Sequence, residues 1–440
     1  MINFFRKLIP RPLLLFYHKF WAILGNILYR FPGRKIYVIG VTGTNGKTTT
    51  VNLIASILEE AGYKVGLTST VFFQVGDKRW LNRTKMTVPG YFFFPRMLRQ
   101  MVNNSCQYAV LEISSHAIDQ FRCWGIPFDA VVITNLTHDH LDYHGDFNNY
   151  RRTKGKLFSS LYYSFKKKGI SKISIINADD PSFQYFVQFW ADKKYAYTIK
   201  NNQTGLPQIK ALDIQSDLEG VKFILETPKE QIRISLKLKG EFNVVNACAA
   251  AALAFALGIK KEAIKRGLER VKEIAGRMEE VNEGQKFKVI VDYAHTPDAF
   301  QKVFESVIKM PHNKIISVFG ATGDRDRQKR PILGEIGAKF SHYLILTLED
   351  PGSEDPQDII EEIEPGVIKK GKKLNKDYYK IVDRRKAIRK AFQLAKENDI
   401  VLLLAKGHEQ VMQMKNKKVP WDDRIVAKEE LKKILNKKEG

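Results

Sequence analysis

The sequence predicts an α/β protein built on a mostly parallel sheet, with a second α/β unit behind it. Three observations lead there. Short apolar runs ending in polar or glycine-rich clusters alternate with stretches of helical period. The segment GVTGTNGKTTT, residues Gly40 to Thr50, joins one such run to one such helix. After GRMEEV the rhythm begins again, and 440 residues are too many for one compact core.

In chain order, residues 1–34 come first. The run from Pro12 to Arg30, PLLLFYHKFWAILGNILYR, nears the length of a membrane span but is interrupted by His18, Lys19, Asn26 and Arg30. Lys19, Asn26 and Arg30 recur at helical spacing as a narrow polar stripe, and Arg6, Lys7 and Arg11 stand just ahead. Two readings stay open: a helix lying on a membrane surface, and a helix packed on the first domain. A span or signal anchor is disfavoured, since no small-residue cleavage site follows.

Beyond Pro32 and Gly33, KIYVIGVTG reads as a buried strand and KTTTVNLIASILEEAGY as a helix stopped by glycine. KVGLTST, YAVLEIS and FDAVVITNL are further short strands, and in such sheets ligands gather at the carboxyl ends. Residues 195–239 change character: GVKFILET and IRISLKL read as a small antiparallel portion. GEFNVVNACAAAALAFALGI then gives an alanine-rich buried helix. A boundary is expected near Ala275, dividing 35–274 from 275–440. The later strands are KFKVIVDYAH, KIISVFGATG, SHYLILTLED and DIVLLLAKG.

Bulk composition narrows the partners. Lys plus Arg number 72 against 48 Asp plus Glu, a formal charge of +24, which suits anionic lipid, phosphorylated small molecules or nucleic acid. The lysines are dispersed and seldom interleaved with aromatics, so nucleic acid is not an expected partner. Cys106, Cys123 and Cys248 form no CxxC pair, which argues against a disulfide framework or a zinc site and fits a reducing cytoplasm.

The chemistry starts at Gly43-Thr44-Asn45-Gly46-Lys47-Thr48-Thr49. Its glycine spacing departs from GxxxxGK[ST], but the logic is shared: backbone N–H groups and a helix N-terminus cradle phosphate, Lys47 offsets its charge, and Thr48 can ligate magnesium.

This loop resembles that of the Mur ligase superfamily, ATP-dependent amide-bond formers. LEISSHAIDQFR, TNLTHDHLDYHGDFNNYRRTK, GEFNVVNA, GRMEEV, VDYAHTPDA, GDRDRQKRP and AKGHEQ follow in the order of the type that adds the third amino acid to UDP-N-acetylmuramoyl-L-alanyl-D-glutamate. The resemblance covers about residues 35–435. It implies a central P-loop ATPase domain, a Rossmann-like C-terminal domain, ATP, two Mg2+ ions and an acyl-phosphate route.

Residue by residue, it implies that Thr48, Glu112, His140 and an N6-carboxylated Lys154 hold the metals, with Lys47 on the phosphates. It assigns Asn243, Asn246, Arg277 and Asp292 to nucleotide, and Thr87, Pro89, Ser115, Gln120 and Arg122 to the muramoyl dipeptide. Arg325, Glu349, Asp350 and Glu409 fall to the incoming amino acid. Two departures bear on substrate. Thr87-Val88-Pro89 stands where the family often has Thr-Thr-Pro, losing a hydroxyl. Glu349-Asp350-Pro351-Gly352 replaces Asp-Asn-Pro-Arg of diaminopimelate-adding members, which favours a lysine-like amino acid.

A third departure lies in front. The family's uridine-binding domain does not fit into residues 1–34, so either the UDP-linked dipeptide is held otherwise or the carrier is lipid-linked, with the protein at the inner face of a membrane. The alternatives to the main reading are a ligase of folylpolyglutamate type and a P-loop nucleotide-binding module without catalysis.

Overall fold

The computed structural model describes residues 10–217, 219–415 and 417–436. Its first sheet has eleven strands: β1 (Tyr37–Thr42), β2 (Val65–Thr68), β3 (Phe72–Val75), β4 (Lys78–Leu81), β5 (Tyr108–Glu112), β6 (Ala130–Ile133), β7 (Ile173–Asn177), β8 (Lys193–Thr198), β9 (Gln208–Asp217), β10 (Gly220–Glu226) and β11 (Gln231–Leu236). They lie in the order β11-β10-β9-β8-β7-β6-β1-β5-β2-β3-β4. The six central strand pairs, from β2/β5 to β8/β9, are parallel, and hairpins extend both edges.

The apolar runs explain this. Val38, Ile39 and Val41 of β1 and Ala109, Val110 and Leu111 of β5 are fully buried, as strands covered on both faces must be. The helix Lys47–Glu60 packs one face with Val51, Leu53, Ile54 and Leu58, beside the alanine-rich helix Phe242–Ala256. Gly267 on the neighbouring helix Lys261–Arg270 lets the backbones close in: a Cβ there would sit 2.4 Å from Ile57 Cα.

The antiparallel portion differs from expectation in one respect. β9 pairs in parallel with β8, so β9 to β11 continue the large sheet instead of standing apart. A second sheet follows, with β12 (Glu279–Val281), β13 (Lys288–Asp292), β14 (Ile315–Phe319), β15 (Tyr343–Leu346), β16 (Tyr378–Lys380) and β17 (Ile400–Leu404) in the order β12-β13-β17-β14-β15-β16. Only β12 runs antiparallel to its neighbour.

The N-terminal helix spans Arg11–Leu28 and lies on the body of the protein. The expected polar stripe is split: Lys19 and Arg30 are exposed, but Asn26 turns inward. Asn26 is buried and donates to the Ala22 and Trp124 carbonyls at 2.9 and 2.8 Å, while buried His18 meets the Tyr91 hydroxyl. Among the described residues no helix is long and apolar enough to cross a membrane.

Candidate active site

The strands that follow β1 fill one side of it up to β5, and the chain then crosses to place β6 on the other side, so the carboxyl end of β1 is a switch point where a ligand crevice opens. The glycine loop sits there. Gly46 (φ +82°) caps the helix Lys47–Glu60, and a Cβ on it would lie 2.2 Å from Asn246 Oδ1. Gly43 is held as closely, its missing Cβ only 1.9 Å from Thr134 Oγ1. Side chains at the end of β6 pin the loop: Thr134 and Asn135 donate to the Asn45 carbonyl at 2.6 and 3.0 Å, and Asn135 Oδ1 accepts from Asn45 N at 3.0 Å.

A cavity of about 870 Å3 opens over this loop and reaches the second sheet. Thr44, Asn45, Gly46, Lys47, Thr48 and Thr49 line its floor, with Glu112 at the end of β5 and His140 in the loop beyond β6, at the start of the short helix Leu141–His144. Thr87, Gln120 and Arg122 line one wall, and Asn246, Arg277, Asp292 and Arg325 line others.

The residues expected to hold metal are arranged unevenly. Thr48 donates to Glu112 at 2.9 Å, and the same carboxylate accepts from the Thr70 hydroxyl and backbone N–H at 2.7 and 2.9 Å. Lys154 is wholly buried, donating to the Gly43 carbonyl at 2.8 Å, the carbonyl that also accepts from Lys47 at 3.0 Å. His140 stays beside Asp139, 3.2 Å away. Burial lowers the His140 imidazole to about 3 against the opposing Asp139 charge, leaving it neutral with a lone pair to offer. Burial likewise depresses the Lys47 and Lys154 amines.

This donor set fits a nucleotide triphosphate and magnesium. The loop presents backbone N–H groups at a helix N-terminus, and a hydroxyl and a carboxylate beside it are hard oxygen donors. Among the described residues, no three His, Cys, Asp or Glu side chains gather as a metal site of their own.

The nucleotide residues divide into lining and support. Asn246 faces the cavity and donates to Asn243 Oδ1 at 3.1 Å; Asn243 lies behind, donating to the Lys239 carbonyl at 2.8 Å. The Arg277 guanidinium stacks 4.6 Å from the centre of the Tyr293 ring. Asp292, at the end of β13, accepts from Met278 and Ala294 N–H groups at 2.7 Å each, yet burial raises its carboxyl.

Of the dipeptide residues, Arg122 donates to Gln120 Oε1 at 2.6 Å and to the Val88 carbonyl at 2.7 Å, and Gln120 Nε2 reaches Tyr143 at 3.2 Å. Thr87 shares a 3.0 Å hydrogen bond with Thr70. Ser115 is buried against His144 Nε2 at 3.0 Å, and neither it nor Pro89 lines the cavity.

The amino-acid residues split further. Arg325 lines the cavity and its charge helps lower His116 to about 4, after burial, which is the larger cause. Glu349, Asp350 and Glu409 do not line it. Instead of an open acidic pocket the structure has an ion cluster: buried Lys406 reaches Asp350 at 2.9 Å and Glu409 at 2.6 Å, and Lys85 reaches them at 2.6 and 3.3 Å. Burial alone would lower Lys406, but Glu409 and Asp350 hold it up. Glu349 accepts from Thr322 at 3.0 Å and is pushed up by burial.

Sequence reasoning missed Thr70, Lys85, Lys406 and Asp298. Asn45 Nδ2 donates to Asp298 Oδ2 at 2.8 Å, tying the glycine loop to the second unit. Asp298 lies inside the motif VDYAHTPDA and Lys406 inside AKGHEQ, so their positions were signalled; Lys85 carries no such mark.

Comparison with known proteins agrees with this architecture. Residues 41–254 match the Mur ligase middle domain and residues 276–407 the Mur ligase glutamate ligase domain. The chain is 40% identical over 423 residues to a UDP-N-acetylmuramyl-tripeptide synthetase of Roseiflexus sp. (strain RS-1), covering 94% of this chain and 82% of that protein. It is 39% identical over 411 residues to a UDP-N-acetylmuramoyl-L-alanyl-D-glutamate–2,6-diaminopimelate ligase of Halalkalibacterium halodurans, covering 93% and 81%. A solved structure of a ligase of that diaminopimelate type superposes with a TM-score of 0.60 at 29% identity over 91% of this chain and 79% of the other. In fold alone, folylpolyglutamate synthase of Mycobacterium tuberculosis with ADP is similar too, with a TM-score of 0.69 at 16% identity over 88% and 91%.

Proposed function

Because the chain belongs to the Mur ligase family, we propose that it joins an amino acid to UDP-N-acetylmuramoyl-L-alanyl-D-glutamate at the expense of ATP. The observation that carries this reading is the shared cavity, in which the glycine loop, Glu112 and Arg122 of the first unit face Arg277, Asp292 and Arg325 of the second. A carboxylate is a poor acyl donor, and ATP with magnesium supplies its activation as an acyl phosphate. The chain's own residues then position and neutralise. Lys47 and the loop N–H groups hold phosphate oxygens; Arg122 pairs with a substrate carboxylate; Arg325 holds the carboxylate of the incoming amino acid so that its amine faces the acyl carbon.

Two Mg2+ ions are assigned to Thr48 with Glu112 and to His140 with Lys154. Burial depresses the Lys154 amine, which favours the unprotonated form that carbon dioxide requires; addition forms the N–C bond, releases one proton to solvent and leaves a carbamate whose anionic oxygens are a ligand beside Gly43. The added amino acid is lysine-like. Gly352, where diaminopimelate-adding members carry Arg, offers no cation to a distal carboxylate.

The test is phosphate release from ATP with UDP-N-acetylmuramoyl-L-Ala-D-Glu and a panel of lysine, ornithine, diaminopimelate and glutamate. Turnover with lysine supports the whole reading; turnover with diaminopimelate alone retains the ligase and rejects the lysine preference. A second reading, a dipeptide on a lipid carrier at the inner face of a membrane, is favoured by the outward apolar side of the helix Arg11–Leu28. Turnover on a lipid-linked dipeptide with none on the UDP-linked one establishes it.

A further inference from the structure

The helix Arg11–Leu28 turns large apolar side chains to the outside, with Lys19 exposed among them. His18, Ala22, Gly25 and Asn26, at helical spacing, face the protein, and a Cβ on Gly25 would lie 2.9 Å from the Phe92 ring. That contact fixes the rotation of the helix. Leu13, Phe16, Tyr17, Phe20, Ile27 and Leu28 therefore point outward, Phe16 71% and Leu28 62% exposed.

A second segment continues the patch. The Arg34 guanidinium lies between the Phe31 and Phe165 rings, 4.3 and 4.7 Å from their centres. Phe165 belongs to an exposed stretch with Tyr162, Tyr163 and Ile170, Tyr163 being 81% exposed, and with exposed Lys166 and Lys168. Lys166 sits 4.3 Å from the Trp190 ring.

Charge selects the occupant. No Asp or Glu occurs before Glu59, and none from Phe147 to Ala178, whereas the first 35 residues hold Arg6, Lys7, Arg11, Lys19, Arg30, Arg34 and Lys35. A second copy of a chain carrying +24 would bring like charge against like. We infer that the outward face of the helix Arg11–Leu28, continued by Tyr162–Ile170, docks on an anionic lipid bilayer. Outward Phe, Tyr and Leu enter the headgroup boundary while lysines and arginines meet lipid phosphates, the two signals that stable peripheral binding needs.

This deepens the membrane reading above and rests on it for the choice of a bilayer, but not on which substrate the cavity takes. The test is co-sedimentation of the full chain with phosphatidylcholine vesicles, with and without phosphatidylglycerol, beside phosphate release in solution. Expected are binding that needs phosphatidylglycerol and weakens in salt, and a drop of about tenfold or more in partitioning for Phe16→Ser/Phe20→Ser with unchanged turnover. Failure of the wild-type chain to pellet overturns the proposal, as does undiminished binding of the double variant. A dimer in sedimentation velocity that the same substitutions abolish also overturns it, by assigning the face to a second copy.

Discussion

The Lys85 ammonium, on the loop before Thr87, lies 2.6 Å from the Asp350 carboxylate of the second unit. Both side chains are largely buried, 17% and 12% exposed, so this pair is weakly screened. Lys85 also reaches Glu409, making it a strap between the sheet that carries the glycine loop and the one that carries Arg325. A charged hydrogen bond of this kind is worth about 1.5–3 kcal/mol. Lys85→Ala is expected to raise KM for the amino acid about tenfold, with kcat changed less, in steady-state assays.

Gly46→Ala tests the cradle itself. The φ of +82° disfavours any side chain, and the new Cβ would meet Asn246 Oδ1 at 2.2 Å. Either the loop or Asn246 must give way, and both are assigned to nucleotide. Loss of at least about 1 kcal/mol in denaturant unfolding is expected, with KM for ATP raised more than that for the amino acid.

How much of this could be read beforehand follows from the range of each interaction. β1, the helix Lys47–Glu60, β5 and β6 were legible because apolar period and glycine placement are local. Glu112 could be located at a strand end for the same reason, whereas His140 lies in the loop seven residues beyond β6. Resemblance pointed to Asp350 and Glu409 but not to their partners, since Lys85 lies 265 residues from Asp350 and nothing in TKMTV announces the pairing. The N-terminal helix was foreseen as one of two readings, a helix packed on the first domain, but its orientation was not. Its period was visible, but which face turns inward depends on Trp124 and Tyr91, whose positions only the fold determines.

His408 sets a pH dependence of stability. It is buried against Tyr293, ring centres 4.9 Å apart, and its Nδ1 has no hydrogen-bond partner among the described residues. Burial, with Arg277 and Arg424, holds the imidazole well below its ordinary 6.5. The unfolded chain takes up a proton below about 6.5 and the folded one does not, so stability present above that pH is lost as pH falls. The contribution approaches about 1.4 kcal/mol per pH unit. His116, His140 and His295 are depressed as well and add to the slope, so urea unfolding between pH 7.5 and 5 is expected to steepen with all four, and His408→Asn to reduce the slope by about one proton; an identical slope in the variant would reject the assignment.

Lys154 separates a structural lysine from a chemical one. A buried amine whose proton affinity is depressed costs stability at neutral pH, so Lys154→Met, of similar length and without charge, is expected to fold with an unfolding midpoint equal to or above that of the wild type. If the amine serves only to hold the Gly43 carbonyl, Lys154→Met loses one hydrogen bond and activity falls modestly, through loop position. If it carries a carbamate that offsets charge on magnesium and phosphate, kcat falls about 100-fold or more, the scale for removing one preorganised electrostatic group. Carbon dioxide dependence adds a second readout. Wild-type turnover should drop in bicarbonate-depleted buffer and recover when bicarbonate is added, whereas the residual turnover of Lys154→Met should not respond. Turnover of the wild type that is indifferent to bicarbonate, with a mass free of the added carboxyl group, would leave Lys154 a purely structural residue.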